Sequence, residues 1–97
     1  MTRQDQKGQE RTMPDDQQIA RTILDYIVRE YADSLQGAPI DAKSPLISSG
    51  LIDSLSMVSM KVFLAQTYHL HVPDGEATTE AFDSVTGMVQ MLRKLGV

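Results

Sequence analysis

The chain contains no cysteine and no tryptophan in its 97 residues. A disulfide framework and a thiolate metal site are therefore excluded, and any thiol chemistry has to be supplied from outside the polypeptide. Basic charge is also scarce: nine Lys and Arg against 13 Asp and Glu leave a net charge of −4, with an isoelectric point near 4.9. Nucleic-acid binding relies on a Lys/Arg surface that displaces counterions, so a neutral or basic protein fits better as a partner than DNA or RNA. No apolar run approaches the roughly 20 residues of a membrane span, and Met1 to Arg11 lack the apolar segment of a signal peptide. The expectation is a cytoplasmic monomer.

The apolar content of 41% suffices for one compact core and no second one. Stability of about 5–10 kcal/mol is expected for a domain of this size. Residues 1–13 alternate charges with Gln and Gly and offer almost nothing to bury, so they read as a disordered extension preceding a domain over 14–97.

Within that domain the spacing of apolar residues predicts helices and no strand. The first runs from about Pro14 to Ser34, with Thr12 as a candidate cap and Asp15 and Asp16 at its positive end. At about 100° per residue, Ile19, Ile23, Tyr26, Ile27 and Tyr31 share a side with Ala20 and Leu24, while Arg21, Asp25 and Arg29 face water. Gly37, Pro39, Asp41, Ser44 and Pro45 punctuate a long loop that Leu46, Ile47, Leu51 and Ile52 pin to the core. Its length is unusual for a helix connection and points to function.

A second helix begins at Asp53 or Ser54 and ends near Tyr68 or His69, ahead of the Val72-Pro73-Asp74-Gly75 turn. A short third helix spans Thr78 to Phe82, anchored by Phe82. Asp83-Ser84 then caps a last helix whose Val85, Met88, Val89, Leu92 and Leu95 share a face and which Gly96 ends. The expected architecture is an all-α four-helix bundle with three long helices, one short third helix and a long loop between the first two.

The second helix carries two apolar arcs. Met57, Met60, Leu64 and Tyr68 form one, and Leu55, Val58, Val62 and Ala65 form the other, with Ser54 and Lys61 between them. Either both arcs are core, the more common arrangement, or the Leu55/Val58/Val62 arc is exposed beside Ser54 and docks partners. Taken alone, Asp53-Ser54-Leu55 reads as an ordinary helix cap.

In context, the pinned loop, Gly50, Asp53-Ser54-Leu55 opening a helix, Tyr68, Val72-Pro73 and Phe82-Asp83-Ser84-Val85 resemble the acyl carrier protein family from about Asp15 to Leu95. The resemblance implies a four-helix bundle with no catalytic residues of its own. Ser54 would be the attachment point, through a phosphodiester, of a 4′-phosphopantetheine arm derived from coenzyme A. The arm would supply the missing thiol and hold an acyl or aminoacyl thioester. A phosphopantetheinyl transferase would recognise Asp53, while Leu55, Val58 and Val62 would form the apolar partner contact. A phosphodiester at this helix start is expected to gain about 0.3–1 kcal/mol from free N–H groups and the helix dipole.

Two departures narrow the resemblance. Carriers of housekeeping fatty-acid synthesis have an acidic second helix, whereas no Asp or Glu occurs here from Ser54 to Pro73, and Lys61 adds a positive charge. Leu51 and Ile52 separate Gly50 from Asp53 where those carriers have one residue. Gly50-Leu51-Ile52-Asp53-Ser54-Leu55 looks more like D-alanyl and stand-alone aminoacyl carriers. The expected partners are an adenylate-forming acyl or aminoacyl ligase and downstream acyl-transferring enzymes of a specialised pathway. An unmodified carrier-like bundle that only binds proteins is the alternative.

Other polar residues do not assemble into sites. His69 and His71 lack a Cys or carboxylate set and read as surface residues rather than metal ligands. Met57, Met60, Met88 and Met91 fit helix faces as core filler, with Met57 and Met60 alternatively lining a deformable acyl cleft. Gly50-Leu51-Ile52-Asp53-Ser54 is not the Gly-x-Ser-x-Gly elbow of hydrolases.

Overall fold

A computed structural model describes residues 15–97. The expectations for residues 1–13, for Thr12 and for Pro14 lie outside them. The described residues are helical, without a strand.

Helix α1 spans Asp16–Glu30 and is capped by Asp15. The Asp15 carboxylate accepts from Gln18 N at 2.8 Å and Gln18 Oε1 accepts from Asp15 N at 3.2 Å, a reciprocal capping box. Ile19, Ile23 and Ile27 form its buried stripe.

The single helix expected to reach Ser34 is instead interrupted at Tyr31 (φ −116°, ψ 28°) and resumes as α2, Ala32–Leu35. With 3.6 residues per turn, a stripe of every fourth residue drifts about 40° per step, so an unbroken helix would carry Leu35 almost to the far side from Ile19. The interruption resets that drift and leaves Leu35 buried. Gln36, in the left-handed region at φ 51°, ends α2.

The loop that follows is anchored on apolar side chains, as its composition predicts. Leu46 and Ile52 are buried and Ile47 and Leu51 half-buried. Its turn depends on Gly50, which adopts φ 85°, a conformation with a steric cost for any other residue.

Helix α3, Met57–Thr67, is preceded by a 3₁₀ turn over Ser54–Ser56, so the helix starts more tightly than expected. It ends at Tyr68, where His69 takes a left-handed φ of 54° and Leu70 N donates to Ala65 O at 3.0 Å, closing a Schellman motif. Large aromatic side chains bridge α1 and α3: Tyr26 stacks on Phe63.

Helix α4, Thr79–Phe82, is capped by Thr78 and buries Phe82 completely. Helix α5, Val85–Lys94, packs against α1 and α4 and buries Val85, Met88, Val89, Met91 and Leu92. Met91 thus completes the face, while Leu95 forms the half-buried C-cap. Gly87 permits the close approach of α4: a Cβ there would lie 2.7 Å from Ala81 O. Among the described residues no polar or charged residue is buried.

Candidate functional site

Ser54 opens the 3₁₀ turn and is exposed. Among the described residues its hydroxyl makes no hydrogen bond, so it is open to an incoming reagent. The turn is held from one residue earlier. Asp53 is the cap, its Oδ1 accepting from Leu55 N at 2.9 Å, and its carbonyl accepts from Ser56 N, also at 2.9 Å.

That arrangement changes the electrostatic expectation for this helix start. Leu55 N and Ser56 N bond to Asp53, and Met57 N donates to the carbonyls of Ser54 and Leu55. A phosphate on Ser54 would therefore meet an end whose N–H groups are largely occupied, with the Asp53 charge adjacent. The dipole gain expected at a free helix terminus is correspondingly reduced, and an anion here would extend into solvent.

Helix α3 is apolar around most of its circumference, and the tertiary structure separates its two arcs. Met60 and Leu64 are buried, with Met57 and Tyr68 half-buried. Leu55, Val58 and Val62 are 78%, 67% and 48% exposed, which makes a continuous apolar stripe beginning next to Ser54. Ala65, at the far end, is half-buried. Beside the stripe, Lys61 Nζ lies 2.6 Å from the Asp74 carboxylate, which the ammonium holds below the ordinary carboxylate range. The stripe thus has no acid of its own, and the nearby cation is paired.

The loop leading to Ser54 is secured at the α4–α5 junction by a residue whose part differs from the expected one. Ser84 alone caps α5, accepting from Gly87 N at 3.0 Å. Asp83 instead turns to the loop, its Oδ1 accepting from Ile47 N at 2.7 Å and Ser48 N at 2.8 Å, and its Oδ2 from Ser48 Oγ at 2.8 Å. The Asp83 carbonyl accepts from Leu46 N at 2.6 Å. Hydrogen bonds from Ser48 dominate in lowering the Asp83 pKa. A second tie runs from Thr86, whose N and Oγ1 both donate to Ala42 O, at 2.9 and 3.0 Å. An Asp before a Ser and a helix has the local signature of a cap, so nothing in the neighbouring sequence distinguishes these roles.

His69 and His71 are exposed, and among the described residues no group of three or more His, Cys, Asp or Glu is placed to hold a metal ion. No described helix is long and apolar enough to cross a membrane. A surface depression lined by Asp15, Gln18, Ala20, Arg21, Leu24 and Asp25 lies on the outer side of α1 and includes none of the residues around Ser54. No protein-family model, curated protein or solved structure matches the chain.

Proposed function

We propose that this protein is a carrier that presents an acyl or aminoacyl group on a 4′-phosphopantetheine arm joined to Ser54. The observation that carries the reading is an exposed, unengaged serine hydroxyl at the first residue of a helix start, flanked by the exposed stripe of Leu55, Val58 and Val62. A cysteine-free chain gains from the arm the thiol needed to hold a thioester. On this reading the helices form the four-helix bundle of carrier proteins, with α1 and α2 together taking the place of one long first helix.

Each residue near the site has a part that its chemistry supports. Asp53 holds the 3₁₀ turn so that Ser54 projects outward, and marks the site for a phosphopantetheinyl transferase. Attachment joins Ser54 Oγ to the pantetheine-bearing phosphorus as the pyrophosphate bond of coenzyme A breaks, and adenosine 3′,5′-bisphosphate leaves. The hydroxyl proton leaves to a base on the transferase. Leu55, Val58 and Val62 supply apolar contact for the transferase, for an adenylate-forming ligase and for downstream acyl-transferring enzymes. With no acid on that stripe, partners that select an acidic second helix fit poorly, which favours a specialised pathway over housekeeping fatty-acid synthesis.

The test is intact mass after incubation with coenzyme A and a broad-specificity transferase. One phosphopantetheine should be gained, and Ser54→Ala should abolish the gain. The same apolar stripe also supports a second reading, an unmodified module that only binds proteins. An unchanged mass in the wild type would leave that one standing.

A further inference from the structure

We propose that Asp83 is the positioning residue for Ser54, an inference that rests on the carrier reading: from the α4–α5 junction it sets where the long loop delivers the chain to the helix start. Four hydrogen bonds from three successive loop residues converge on it. Leu46 N donates to its carbonyl, while Ile47 N, Ser48 N and Ser48 Oγ donate to its carboxylate. The loop then closes on itself, since Ile52 N donates to Leu46 O at 2.9 Å. Ile52 is buried, and the next residue, Asp53, caps the turn that presents Ser54. The main-chain bond at Leu46 and the carboxylate bonds at Ile47 and Ser48 together fix the start of this closed loop, and position passes from it through Ile52 to Asp53 and Ser54.

The second directional tie, from Thr86 to Ala42 O, holds the loop four residues before Leu46, and the anchors nearer Ser54 are apolar. Leu46 and Ile52 contribute apolar burial, which is non-directional and holds the loop down without fixing its register. Hydrogen bonds to an ionised carboxylate are short and directional, and Asp83 supplies three of them at 2.7–2.8 Å. Their partners lie 35 and 36 residues away, so they place the loop relative to the end of the domain. Removing the carboxylate while keeping the apolar anchors should let the loop shift without detaching. A shift of about 1 Å at a reacting hydroxyl is enough to cost up to about 100-fold in rate.

The test follows transferase loading by intact mass, well below the melting transition, for the wild type, Asp83→Ala and Asp83→Asn, with amide exchange measured on the unmodified proteins. Asp83→Ala should lower kcat/KM by about tenfold, mainly through kcat. Asp83→Asn should recover most of the loss, because its carbonyl oxygen still accepts from both backbone N–H groups. Exchange in Asp83→Ala should quicken at Ile47, Ser48 and Ile52 and stay unchanged at Met88 and Leu92. Equal loading of the wild type and Asp83→Ala, or a loss that only follows the unfolded fraction, overturns the inference alone. A wild type that gains no mass overturns the carrier reading and the inference with it.

Discussion

Tyr26 of α1 and Phe63 of α3 lie ring on ring, their centroids 3.9 Å apart and their planes inclined by 11°. Tyr31 meets the edge of Tyr26 at 6.2 Å. This cluster bridges α1 to the helix that begins beside Ser54: Val62 of the exposed stripe faces solvent, while its neighbour Phe63 packs on Tyr26.

Tyr26→Ala and Phe63→Ala should each destabilise the protein by about 2–3 kcal/mol, less than full burial would cost because both rings are half-exposed. A double-mutant cycle in urea should give a coupling of about 0.5–1.5 kcal/mol. Burial, with the neighbouring Tyr31 phenol second, pushes the Tyr26 phenol up to about 12. The unfolded chain therefore loses this proton first, so the contribution is complete below pH 10 and is lost as pH rises towards about 12. Tyr26→Phe should flatten the alkaline limb of the stability curve; an unchanged limb would contradict the assignment.

Replacing Leu55, Val58 and Val62 singly by Gln should move stability by no more than about 0.5 kcal/mol each, since their side chains already face water. Met60→Ala or Leu64→Ala should cost about 2–5 kcal/mol. The Gln variants should nevertheless raise the KM of the loading ligase, and the wild-type reaction should respond weakly to added salt, because no charge lies on the stripe. Steep salt dependence would show that partners read another surface.

Gly87→Ala should destabilise by about 1–3 kcal/mol although alanine is the better helix former by about 1 kcal/mol. The added Cβ would meet Ala81 O at 2.7 Å and Glu80 O at 3.3 Å, all backbone, so α4 would have to move. Thermal unfolding of the variant measures the effect, and a gain in stability would mean that the α4–α5 contact is soft.

Acid should loosen the loop that leads to Ser54. Asp83 is held below its ordinary value chiefly by hydrogen bonds from Ser48, and Asp74 by Lys61. For depressed carboxylates the unfolded chain binds protons first as pH falls. Their contribution is present above about pH 4 and is lost on acidification through the lower folded values. Between pH 5 and 2, Asp83→Asn should show a shallower decline in stability than the wild type by urea titration. Parallel curves would remove Asp83 from the acid response.

Much of the helical layout was legible because burial imposes a period. Ile19, Ile23 and Ile27 on α1, and Val85, Met88, Val89 and Leu92 on α5, announce one buried face each, and Ser84 and Thr78 stand where caps belong. Leu46 and Ile52 were readable as loop anchors because buried apolar residues amid turn formers have few other roles. The break at Tyr31 was not readable, since neither a glycine nor a proline marks it and Tyr31 fits the apolar face of α1. At Asp53-Ser54-Leu55 the cap was legible and the 3₁₀ winding was not, since a cap signature does not specify how tightly the first turn is wound.

By itself the sequence determined the helical periods, the residues able to cap and turn, and the position of a serine at a helix start, all of which depend on side chains close together along the chain. Tertiary structure alone decided which arc of α3 meets the core and which faces solvent, because either could pack. It also decided that Asp83 holds the loop before Ser54 while Ser84 caps the helix. The competing partners of that carboxylate lie far apart in sequence, and only folding brings one set within hydrogen-bonding distance.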